Sequence, residues 1–215
     1  MSTAAWLELH AVLGAARDLG FLGPGPVERH IEHGQGFVAV ADAALDHEPG
    51  NWCDLGSGGG VPGLVLALSW PGSTGVLVES SQRRAGFLRE ALARLDLETR
   101  ILVREDRAEV LGQALERRES FVLTTARGFA TPAATAEIAS GLVAVGGVLI
   151  VSEPPEALPN RWPAHELAKL GFAPVVRTSA QDAHFAVLRK ARAAPPSVPR
   201  RVGRPTKRPR WSSST

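Results

Sequence analysis

The chain has 215 residues, 44% of them hydrophobic and 21% charged, with a formal net charge of +2, as suits one globular domain with a sizeable core. No run of about 18 apolar residues occurs, so no membrane span is expected; "MSTAAWLELHAVLGAARDLG" lacks a basic start and reads as a helix, not a signal peptide. The single cysteine, Cys53, excludes an internal disulfide and favours a reducing, cytoplasmic setting.

Residues 3–19 predict a helix, and "GPGP" at 23–26 ends it. "VERHIEHGQGFVAVADAAL", 27–45, predicts a second helix weakened by Gly34 and Gly36. Residues 1–48 are thus expected to form a helical N-terminal cap. From 49 to 190 short apolar runs alternate with helical patterns. Strands are predicted at 51–55, 75–80, 99–105, 120–127 and 146–153. Between them lie helices at 61–69, 81–97, within 106–119, and at 131–145. The helix at 81–97 shows an apolar stripe of Phe87, Leu88, Leu92 and Leu95. Thr131 and Pro132 read as the cap and first residue of the helix that follows the fourth strand. This alternation predicts a parallel sheet covered on both faces. A proline-rich crossing at 154–171 leads to two final strands, 172–180 and 184–190, antiparallel to each other.

The small net charge hides a division. Residues 189–211 hold nine Lys and Arg and no acid, whereas the remaining 15 basic residues face 22 acidic ones, a net of −7. An acidic body with a basic end points to a polyanionic partner. Residues 191–215, rich in Pro, Arg and Ser, are expected to be flexible. Arg200, Arg201, Arg204, Lys207 and Arg208 are the candidate phosphate contacts there.

"DLGSGGGVPG", Asp54 to Gly63, joins the first strand to the following helix, the position at which doubly wound sheets bind nucleotide-like ligands. Gly56, Gly58 and Gly60 are spaced G-x-G-x-G, and Val61 stands where a dinucleotide fingerprint has its third glycine. No Lys-Ser or Lys-Thr follows, which excludes a P-loop. Glu79 ends the second strand, 19 residues after Gly60, where a carboxylate can accept from both ribose hydroxyls of an adenosine. Asp54 is a candidate for the methionine end of S-adenosylmethionine, and 106–109 for the adenine. An NAD-linked oxidoreductase is the more distant reading. His30 and His33 lie three apart on a helix without an evident third ligand, so no metal site is expected. Cys53 reads as a small buried apolar residue, and Arg83 and Arg84 as a solvated helix start.

"DLGSGGGVPG", "ESSQRRAGFLREAL", "DRAEVL" and "TTARGFATP" resemble, in order and spacing, the RsmG (GidB) family of small-subunit ribosomal RNA methyltransferases. "GPGPVERHI" and the basic end resemble that family's flanking segments. The resemblance implies a class I S-adenosylmethionine-dependent methyltransferase fold, α/β and Rossmann-like, with a seven-stranded mostly parallel sheet and a short helical cap. It implies methyl transfer from S-adenosylmethionine to guanine N7 of 16S ribosomal RNA, with 16S RNA or the 30S subunit as partner. By position it implies cofactor contacts at Gly56, Val61, Ala108, Glu109 and Arg127, with Glu79 as the ribose acid. Asp54 and Gly58 join them from the loop reading. Arg29 and His30 are candidates for the substrate cleft, and a monomer is expected. No catalytic nucleophile or base is assigned. The sequence departs from the family where Glu153-Pro154 replaces its usual Lys-Gly. A methyltransferase for a small molecule or another RNA, and a non-catalytic RNA-binding module, are the alternatives.

Overall fold

A computed structural model describes residues 3–156 and 160–212; residues 157–159 of the proline-rich crossing and 213–215 of the basic end lie outside the described residues. Two helices come first, α1 (Thr3–Asp18) and α2 (Val27–Leu45). The alternating body follows as β1 (Asn51–Leu55), α3 (Gly63–Ser69), β2 (Thr74–Val78), α4 (Gln82–Arg94), β3 (Ile101–Arg104), α5 (Ala108–Gln113), β4 (Phe121–Ala126), α6 (Pro132–Ser140) and β5 (Val143–Glu153). Then come α7 (Ala164–Lys169), the hairpin β6 (Val176–Ala180) and β7 (Ala183–Arg189), and α8 (Arg204–Lys207). The strands form one seven-stranded sheet in the order β3-β2-β1-β4-β5-β7-β6. The first five are parallel, and β7 is antiparallel to both β5 and β6. This is the mostly parallel sheet that the alternation predicts. No helix among the described residues is long and apolar enough to cross a membrane.

Both sheet faces are buried because successive strand side chains alternate between two cores. Trp52, Leu77, Leu123, Val148, Ile150 and Phe185 pack under α1, α2, α3 and α4. Cys53, Leu55, Val76, Val78, Phe121 and Leu149 pack under α5, α6 and α7. The cap helices share the first core with the sheet. Gly34 and Gly36 do not interrupt α2: a Cβ on Gly34 would lie 2.6 Å from Val65, and one on Gly36 2.8 Å from the Phe185 ring. Their absent side chains let α2 approach the body.

Two boundaries differ most from expectation. The helix expected to reach 145 stops at Ser140, and β5 already begins at Val143. Phe121 pairs with Val143 and Leu123 with Val148, so β5 carries a bulge. Gly146 sits there at φ +89, and a Cβ on Gly147 would come within 2.6 Å of the Val122 carbonyl. At the other end, the strand expected from 172 begins at Val176. Phe172 makes only an isolated bridge to Lys190, and Pro174 has no amide to donate to a ladder.

The expected flexible end is a larger correction. Residues 191–212 are packed along the α5–α6 face. Arg118 donates to the carbonyls of Ala194, Pro195 and Val198. Glu119 accepts from the Ala194 amide at 2.8 Å. Pro199 fills the space left by two glycines, since a Cβ on Gly141 would lie 2.4 Å from its ring. Glu137, fully buried in α6, is held by Arg200 at 2.6 Å and Arg210 at 3.0 Å. Composition suggested disorder because the segment is poor in large apolar residues. Ion pairs, hydrogen bonds and proline packing hold it instead.

Candidate cofactor and RNA site

The β1–α3 loop is stitched to the end of β2. The amides of Gly56 and Ser57 both donate to the Val78 carbonyl, at 2.9 and 3.1 Å. Gly56, Gly58 and Gly60 have φ of +66, +54 and +99, a region that glycine enters without steric cost. Packing adds a second demand at some positions. A Cβ on Gly60 would lie 2.5 Å from Leu64, and one on Gly63 2.3 Å from Leu77. A Cβ on Gly58 would meet nothing closer than 3.6 Å, so only its left-handed backbone calls for glycine.

A cavity of ≈ 400 Å³ opens beside this loop, at the carboxyl ends of β1 to β4. Gly56, Glu79, Asp106, Ala108, Glu109 and Phe129 are among its lining residues. It lies at the reversal of strand order between β1 and β4, where open α/β sheets bind ligands. Its volume falls in the usual range for small-molecule sites. The Glu79 side chain is fixed there: Oε2 accepts from the Gly58 amide at 3.0 Å and Oε1 from the Ser81 amide at 2.8 Å. Each oxygen retains a further lone pair. The donor set therefore suits S-adenosylmethionine, with Glu79 for its ribose and the glycine backbone alongside. Arg84, expected on a solvated helix start, also lines the cavity, and Arg83 and Arg84 lie over the Phe21 ring at 5.0 and 5.7 Å.

Asp54 is enclosed beneath the loop at 1% exposure and does not line the cavity. It pairs in register with Thr125, whose hydroxyl donates to Oδ1 at 2.8 Å. Oδ2 has no hydrogen-bond partner of ordinary geometry. Burial pushes this carboxyl up to about 6, against the pull of Thr125, Ser57, the Gly63 amide and Arg127. A carboxyl raised on folding penalises the folded state above its folded pKa, and the penalty vanishes below the unfolded value. The shift from 3.8 to about 6 corresponds to about 3 kcal/mol at neutral pH. Asp54→Asn is thus expected to raise stability at neutral pH by about 1 kcal/mol or more. Urea unfolding of variant and wild type across acid to neutral pH checks it. Because the nearby histidines titrate in both proteins, the difference between the two curves is the readout. A constant difference across that range would contradict the assignment.

Arg127 follows β4 outside the cavity wall and donates to His30 Nδ1 at 2.9 Å. His30 Nε2 lies 3.1 Å from the Gly23 carbonyl. These partners define a neutral tautomer, accepting at Nδ1 and donating at Nε2. Burial first, then Arg127, lowers the His30 pKa. The same two causes, with His30, lower His33 to about 4. The cluster therefore carries its positive charge on Arg127 at neutral pH. Among the described residues no group of three or more His, Cys, Asp and Glu is placed to hold a metal ion. Cys53 is buried, and its thiol pKa is raised by burial.

The remaining candidates divide. Arg201, Arg204, Lys207 and Arg208 line a basic concavity of ≈ 500 Å³, and Arg29 is exposed on α2. Arg200 does not join them, because its guanidinium is committed to Glu137 and to the Arg208 carbonyl. Ala108 and Glu109 both line the cavity, but Glu109 Oε1 already accepts from Gly203 N at 3.0 Å and Arg107 at 3.3 Å. Val61 is buried in the first core. Glu153 is neutralised by Arg161 at 2.8 Å, with Arg177 at 4.0 Å, so the departure from Lys-Gly presents no bare negative charge. Sequence reasoning missed Thr206, which reaches the cavity from α8, and Glu137. Its signal was a lone acid within the Ala-rich "PAATAEIAS".

Sheet order, cavity position and acidic residue together define a class I S-adenosylmethionine-dependent methyltransferase. An O-methyltransferase from Bacillus cereus solved in complex with SAH has this fold, at TM-score 0.59 and 17% identity, covering 86% of this chain and 91% of that one. The chain belongs to the GidB family, rRNA small subunit methyltransferase G, whose profile matches residues 27–157. A ribosomal RNA small subunit methyltransferase G of Thermotoga petrophila is 37% identical over 166 residues, spanning 74% of this chain and 72% of its own. One of Leuconostoc citreum is 33% identical over 181 residues, spanning 80% and 74%.

Proposed function

We propose that this chain transfers a methyl group from S-adenosylmethionine to guanine N7 in the 16S RNA of the small ribosomal subunit. The observation that carries the reading is Glu79, fixed by two backbone amides in the cavity at the strand-order reversal. Bound there, S-adenosylmethionine would supply an electrophilic sulfonium methyl group. Glu79 holds the ribose, and the segment from Asp106 to Ala108 borders the adenine. Arg127 and Val61 are cofactor contacts by family position, and His30 aims the Arg127 guanidinium. Asp54 lies beneath the loop and ties β1 to β4 through Thr125. Guanine N7 carries an in-plane lone pair and needs no proton removed, so the site requires alignment and a polar setting but no general base.

Arg29, Arg201, Arg204, Lys207 and Arg208 serve as phosphate contacts on the RNA. The protein works as a monomer in the cytoplasm, where ribosomal subunits are its partners. Incubation with tritiated S-adenosylmethionine tests the acceptor. Label is expected in the 16S RNA of 30S subunits or in naked 16S RNA, and the labelled guanine is expected to carry the methyl at N7. Label confined to a metabolite pool, or absent from RNA in both forms, would falsify the reading.

A further inference from the structure

Helix α8 borders two different sites. Thr206 lines the cavity on the α5 side, where Ala108 and Glu109 also face it. Its neighbours Arg204 and Lys207, with Arg201 and Arg208, line the basic concavity. Among the described residues none of these four side chains has an acidic partner within salt-bridge distance. A phosphodiester meets no internal competitor there. Two ties hold α8 in place. Gly203, at φ +74, donates its amide to Glu109, itself a cavity residue. Arg200 joins the Arg208 carbonyl to buried Glu137.

We infer that α8 is a shared wall: Thr206 contacts the cofactor, the four cations take RNA phosphodiesters, and each ligand tightens the binding of the other. The inference rests on the methyltransferase reading and adds the coupling. Both ligands bear on the same short helix, so the first to bind holds α8 more firmly against the body and the second meets a wall already in position. The coupling is reciprocal by linkage. It favours the complex in which RNA and methyl donor are present together.

Calorimetric titration of the full chain with S-adenosylhomocysteine, with and without a saturating short RNA hairpin, tests this. RNA is expected to tighten S-adenosylhomocysteine binding by about five-fold or more. The R204E/K207E variant still binds S-adenosylhomocysteine but loses the tightening. T206F, which adds bulk at the cavity edge, binds S-adenosylhomocysteine at least about ten-fold more weakly at unchanged melting temperature. Should T206F instead melt early, T206A replaces it, with a smaller weakening expected. Equal affinity with and without RNA, or wild-type affinity in the Thr206 variants, overturns the inference. No S-adenosylhomocysteine binding by the wild type would instead overturn the methyltransferase reading itself.

Discussion

Glu137→Ala is expected to destabilise the protein by about 3–5 kcal/mol, the cost of removing one partner from a buried ion pair. Glu137 is fully buried, while Arg200 and Arg210 remain a quarter exposed at their side chains. The variant removes the buried carboxylate that both guanidiniums share and frees the Arg200 amide, which donates to Oε1 at 3.0 Å. The C-terminal segment then loses its central anchor. If it leaves the body while the rest stays folded, unfolding exposes less new surface, and the urea m-value falls with the midpoint. Glu137→Gln keeps an acceptor but not the charge, and lies between. Acid acts in the same direction. Arg200 and Arg210 hold the Glu137 carboxyl below its usual range despite burial. Its contribution is therefore present at neutral pH and lost as pH falls through that lowered value. A variant within about 1 kcal/mol of wild type, with an unchanged m-value, would show that the segment is held elsewhere.

That anchor shows what local pattern could not reveal. The sheet was readable because parallel strands buried on both faces leave short apolar runs, and each run here stands between helical patterns. The glycine loop was readable from spacing, and Glu79 from its place after a strand. Residues whose partners are distant in sequence were not. Glu137 and Arg200 meet across 63 positions, and an acid in an alanine-rich helix does not announce its partner. The basic end was read by composition, which reports the lack of apolar mass but not the ion pairs that replace it. Asp54 was expected at the ligand. Its register with Thr125 places it on the α2 and α3 face, under the loop instead of in the cavity. Glu153 raised doubt because its partners, Arg161 and Arg177, were invisible until the crossing and the β6–β7 hairpin folded back upon it.

Glu79→Ala is expected to weaken S-adenosylhomocysteine binding about 100-fold or more, measured by calorimetry. The backbone of β2 explains why one residue matters so much. The Glu79 amide donates to the Arg104 carbonyl, extending the β2–β3 ladder past Val78. The side chain then turns to the β1 loop and accepts from Gly58 and Ser81. One carboxylate thus shapes the loop and, in the proposed function, also receives the ligand. Hydrogen bonds to a charged group contribute about 1.5–3 kcal/mol each, so losing two to the ribose alone gives the expected factor. Loop disorder adds to it. Glu79→Gln separates the two effects. Its amide oxygen can still accept from one backbone group, but its nitrogen can only donate, so bidentate ribose recognition fails. It should melt between Glu79→Ala and wild type, because one backbone N–H loses its acceptor, and bind far more weakly. If Glu79→Gln binds as tightly as wild type, Glu79 is a loop brace and the ribose lies elsewhere. If both variants fail to bind while Glu79→Gln remains folded under the conditions of the titration, the carboxylate is the recognition element.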